Sequence, residues 1–133
     1  MPKRISDVSL HVYVTPQTLD RVVGIVCRVV DEHVADRDLF AWRFTLPVEG
    51  DDPTHTVLET QWRLDHPDIE PENRRTYEIA LSLVGDSRLL TKAAIDRLEQ
   101  RLVLNLSADQ PFPYVIRALQ REDFDLEENR ERI

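Results

Sequence analysis

Residues 39–64 read LFAWRFTLPVEGDDPTHTVLETQWRL, and the division of this stretch into elements decides the fold. Over 39–47 the chain alternates: Phe40, Trp42, Phe44 and Leu46 share one face of an extended segment, Ala41, Arg43 and Thr45 the other. Pro47 to Pro53, enclosing Glu49-Gly50-Asp51-Asp52, carries a strong turn signal. A second alternation covers 54–64, where Leu58, Trp62 and Leu64 fall on one side with Thr56 and Thr60. Two strands joined by a short acidic turn read as a hairpin. Phe40, Trp42, Phe44 and Trp62 then belong to the core, on the side that helices should cover.

On the N-terminal side, residues 5–14 place Val8, Leu10, Val12 and Val14 on one face and Ser9, His11 and Tyr13 on the other, the period of a half-buried strand. Thr15-Pro16 follows as a helix start, the threonine capping and the proline occupying the first turn, where its missing N–H costs nothing. Leu19, Val22, Val23, Val26, Val29, Val30 and Val34 then recur at helical spacing. So many β-branched residues lower helix propensity, and this helix must draw its stability from packing on a sheet. On the C-terminal side, residues 65–75 read as a loop, and 76–84 as a strand with Tyr77, Ile79, Leu81 and Leu83 on one face. Gly85-Asp86-Ser87 caps a helix over about 88–105, and Tyr114 to Leu119 makes a last short strand after Pro111 and Pro113.

The expected order is β-α-β-β-β-α-β. It predicts an α+β two-layer sandwich, a five-stranded mixed sheet with two helices on one face, as a variant of the ferredoxin-like arrangement. Residues 1–120 form this single domain, and 121–133 read as a charged tail. The other face of the sheet stays wet and polar. On that reading it presents His11, Tyr13, Arg43, Glu59, Arg63 and Arg117, the candidate partner-binding residues.

Composition narrows the function. A formal charge of −8 disfavours a broad nucleic-acid surface and suits a protein partner, a basic one above all. Cys27 is the single cysteine, so an internal disulfide is excluded, and the N-terminus lacks the apolar stretch of a secretory signal; a cytoplasmic protein without a membrane segment is expected. Three glycines leave no phosphate-cradling loop, and no nucleophile elbow occurs. Asp31-Glu32-His33, followed by Asp36 and Asp38, is the densest set of potential metal ligands, but it also has the chemistry of an ordinary helix C-terminus. No metal or cofactor is assigned.

The strand–helix join Thr15-Pro16-Gln17-Thr18-Leu19 resembles the first β-α turn of ACT-type regulatory domains over residues 8–30, with Gln17 and Thr18 where those domains place a glycine. That resemblance implies a dimeric sensor of small ligands. The residues themselves, lacking a catalytic constellation, point first to a non-enzymatic interaction module: an inhibitor, an immunity-type protein or an assembly component, with a homodimer as one form.

Overall fold

In the computed structural model, which describes residues 3–35, 37, 39–108 and 112–122, the chain runs β1 (Lys3–Val14), α1 (Pro16–Val34), β2 (Leu39–Pro47), α2 (Pro53–Asp65), β3 (Arg75–Asp86), α3 (Lys92–Ser107) and β4 (Tyr114–Glu122). The four strands form one sheet in the order β2-β3-β1-β4. Every neighbouring pair is antiparallel. The strand order is that of the ferredoxin-like split βαβ arrangement, with α2 added between β2 and β3.

The core lies between this sheet and the pair α1 and α3. Val8, Leu10, Val12 and Val14 of β1 and Ile79, Leu81 and Leu83 of β3 point into it, as their alternation predicts. Val22, Val26, Val29 and Val30 of α1 and Ile95, Leu98, Leu102 and Leu106 of α3 meet them. Arg101 of α3 donates to Glu32 of α1 at 2.8 Å and Arg28 donates to Asn105 at 2.9 Å, tying the two helices together at the surface. The Thr15 hydroxyl accepts from the Thr18 amide, as a cap should, and Pro16 opens α1. The last helix begins later than its sequence suggests: Thr91, not the Gly85–Ser87 turn, caps it through the Ala94 amide.

The expected five-stranded sheet with two helices on one face is wrong: there are four strands and three helices among the described residues. The error lies in 54–64, which is α2. Leu58 and Trp62 are four residues apart, a spacing that satisfies both a period of two and a period of 3.6. The start signal resolves it. Asp52 accepts from the Thr54 amide at 2.8 Å and Pro53 occupies the first turn, the same chemistry that opens α1. Replacing Asp52 by Ala should lower stability by about 1 kcal/mol in urea titration; an unchanged midpoint would show that the cap contributes nothing to α2. The helix packs Leu58 and Trp62 on Tyr13 and Val115, on the sheet face opposite α1 and α3. The sheet therefore carries helices on both sides. The expected charged tail from 121 onward loses Arg121 and Glu122 to the end of β4, and 123–133 lie outside the described residues.

His33, near the end of α1, is buried, and its Nε2 has no hydrogen-bond partner among the described residues. Burial first, then the cations of Arg37, Arg101 and Arg97, hold its pKa below the usual 6.5. In the unfolded chain the imidazole regains that value, so at lower pH the unfolded state binds more protons, and stability falls as pH drops below 6.5. Above that pH the group contributes nothing to the slope. His33→Leu should flatten the decline in melting temperature between about pH 7 and pH 5 relative to wild type. An equally steep decline in the variant would place the titrating group elsewhere.

Candidate functional site

The face of the sheet opposite α1 and α3 has two regions of different character. Over one end lies α2. There Tyr13 is 1% exposed and Trp62 3% exposed, with ring centroids 6.1 Å apart. His55 of α2 reaches Thr76 of β3 at 2.7 Å through Nδ1 and Glu59 at 2.9 Å through Nε2, and Arg63 donates to the same carboxylate at 3.0 Å. Burial, then the Glu59 charge, raises the pKa of the Tyr13 phenol, so it stays neutral at physiological pH.

Beyond α2 no described element covers the face. Its β1 and β3 portion is a ladder of short polar bonds across the pair: Ser9 donates to Glu78 at 2.6 Å and Ser82 donates to Asp7 at 2.7 Å. His11 lies 3.9 Å from Glu78. These groups are matched to each other, which keeps a half-covered face wettable.

The β2 portion is apolar. Phe40 is 69% exposed, Trp42 56%, Phe44 64% and Leu46 54%. Phe40, Trp42 and Phe44 are expected in the core on sequence grounds; the pairing with β3 overturns this. Ala41 stands opposite Leu83, Arg43 opposite Leu81 and Thr45 opposite Ile79. Directly opposed residues of an antiparallel pair point to the same face, and Ile79, Leu81 and Leu83 point at α1 and α3. Arg43 therefore goes to the inner side, where its guanidinium meets Cys27 of α1. The aromatic stripe goes outward.

Among the described residues this strand also stands at the end of the sheet, pairing with β3 alone. Between Phe40 and Leu46 it holds no proline and only one charge, Arg43. Edge strands that stay single are usually blunted by lysines, prolines or bulges. With aromatic side chains of 150–250 Å² each, the four exposures amount to an apolar strip of roughly 500 Å², at the upper end of what monomers leave uncovered.

The sequence-based site is thus only partly assembled. His11, Tyr13 and Arg117 do belong to the outer face: Val115 and Arg117 stand opposite His11 and Ser9. Tyr13 is sealed beneath α2. Glu59 and Arg63 lie on a helix, paired with each other, rather than in a strand. Arg43 faces the other way. The strip on β2 is visible in the sequence as an alternation, but alternation says which side chains share a face, not which face is covered.

Among the described residues no three His, Cys, Asp or Glu side chains stand close enough to hold a metal ion. No described helix is long and apolar enough to cross a membrane.

The fold and this face define an α+β protein of ferredoxin-like strand order with an uncovered apolar edge. Among solved structures, a de novo designed protein, Foldit4, is similar over 88% of this chain and 96% of its own, at 12% identity and a TM-score of 0.50. A protein from Thermus thermophilus described as PII-like signaling is similar over 92% of both chains, at 12% identity and a TM-score of 0.41. At such identity the likeness is one of fold alone. No family model matches the chain, and no curated protein does.

Proposed function

We propose that this chain is a non-catalytic interaction module, an assembly component that docks through the outer side of β2, and that the occupant of that surface is a second copy of the chain. The observation that carries this reading is the row Phe40, Trp42, Phe44 and Leu46, all exposed on one side of an edge strand. Docking needs no reacting group. The surface is built of side chains that bury area, and aromatic residues lead such surfaces.

A second copy fits for reasons of geometry. If β2 pairs antiparallel with itself about a two-fold axis, residues of the same parity meet on the same face, so the two stripes merge into one. An axis at Arg43 sets two guanidinium groups directly opposite each other, which is unfavourable; an axis at Trp42 or Phe44 avoids this. Side by side on one face, the two stripes cover each other along their facing edges, and the paired backbones add the rest of the contact.

Sedimentation equilibrium over a concentration series tests this. A concentration-dependent dimer is expected, and it should tighten when salt is raised, because two chains of formal charge −8 repel and salt screens that repulsion while leaving apolar contact intact. A chain that stays monomeric at high concentration would rule out self-docking and leave the strip to a different protein.

A further inference from the structure

A second concave feature lies apart from the β2 strip. Where β1 turns into α1, and α2 meets the loop that leads to β3, a cleft of about 340 Å³ opens. That volume lies at the lower end of the range of about 300–1,000 Å³ in which small-molecule sites fall. Half of its wall comes from the sheet and the start of α1: Tyr13, Val14, Thr15 and Thr18. The other half comes from Trp62 and His66 at the end of α2 and from Arg74, and Phe112 completes the apolar side.

The polar groups here are held in place. The Arg74 guanidinium lies 4.5 Å over the Trp62 ring, whose other stacking neighbour is His66, at 4.8 Å and 17°. Of its five N–H donors, Arg74 spends one on the Pro71 carbonyl at 3.3 Å, and no carboxylate among the described residues pairs with it. Such a cation, fixed by stacking and left with free donors in a concavity, is set to take an anion bidentately. His66 directs Nδ1 at the Trp62 carbonyl, 3.1 Å away, which leaves Nε2 free. The Thr15 hydroxyl donates to Thr18 Oγ1 at 3.1 Å, which leaves the Thr18 hydroxyl hydrogen as a neutral donor across the cleft. The end of α1 itself adds little, since Thr15 already accepts from the Thr18 amide and Pro16 has no N–H.

Stacking of Arg74 on Trp62 also helps to clamp α2 to the body, and a purely structural role would be satisfied by that contact alone. It would not require the guanidinium to line a cleft, nor the cleft to be half apolar. We infer that this cleft binds a small organic carboxylate, its charged end on Arg74 and the Thr18 hydroxyl and its apolar body against Phe112. The inference is independent of self-association through β2.

The test uses the whole chain and three probes followed by ¹H–¹⁵N spectra: 3-phenylpropionate, the neutral 3-phenylpropanol, and inorganic phosphate. For a ligand of this size a dissociation constant of about 1 mM is expected for the carboxylate, with saturable shifts at the Trp62 indole and the Thr18 amide. The alcohol should bind at least about tenfold more weakly, since it lacks the charge-assisted bonds. Arg74→Met should impose the same loss on the carboxylate alone, and Thr18→Val a smaller one; preserved dispersion of the spectra shows that either variant is folded. Equal binding of alcohol and carboxylate would overturn the anion assignment. Tighter binding of phosphate would overturn the organic one, and unsaturable shifts with all three probes would remove the site. The Trp42→Gln/Phe44→Gln chain should bind the carboxylate as wild type does.

Discussion

Trp42→Gln with Phe44→Gln should weaken dimerisation at least about a hundredfold while leaving the melting temperature of the monomer within a few degrees of wild type. Each aromatic is an anchor of the kind whose loss typically costs about 2 kcal/mol or more at the centre of an interface, and two such losses multiply. In the monomer both side chains are more than half exposed, at 56% and 64%, so removing them opens no cavity. The two readouts must therefore separate. Sedimentation reports the first and thermal unfolding at low protein concentration the second. Should the double variant dimerise like wild type, the strip is not the interface. Should it unfold instead, β2 is packed against something and the register with β3 is misassigned.

Trp62→Ala should destabilise the protein by about 3 kcal/mol or more, whereas Leu64→Ala should change stability by no more than about 0.5 kcal/mol. The two residues are close in sequence and both large and apolar. As a strand, 54–64 would place them on one face and give them similar costs. As α2, it turns Trp62 onto Tyr13 at 3% exposure and leaves Leu64 at 72%. A large loss at Trp62 also removes the platform under Arg74 and packing beside Leu58, so protection of the α2 amides from hydrogen exchange should fall with it. Equal effects at the two positions in denaturant titration would contradict the helix. Because α2 is held to the sheet by few buried side chains, its detachment can precede global unfolding, and amide exchange distinguishes the two events.

The elements whose apolar period is unambiguous are legible from residues alone. β1, β3 and α1 each present one apolar face over enough residues that only one period fits, and the Thr15-Pro16 start stands where the sequence puts it. The same start signal at Asp52-Pro53 is legible too, but Leu58 and Trp62 beyond it are spaced to satisfy either period, and the turn chemistry around it reads equally well as a hairpin. Of the candidate docking residues, His11 and Arg117 fall on the expected face because β1 alternates cleanly and pairing with it sets Arg117 opposite Ser9. Glu59 and Arg63 do not, since their placement depends on a hairpin that does not exist, and Arg43 does not because pairing with β3 turns it to the side of α1 and α3.

What the chain's order of residues determined by itself is the local part: which segments extend, which coil, and which side chains travel together on a face. These follow from backbone geometry acting over a few neighbours. The direction in which the β2 stripe points was decided elsewhere, by its pairing with β3, since Arg43 opposite Leu81 commits every second residue of the strand. One residue of slip would have turned Phe40, Trp42 and Phe44 to the side of α1 and α3 and Arg43 to the opposite side. Hydrogen-bonded partners far along the chain settle that choice, and with it whether this protein has a sticky edge at all.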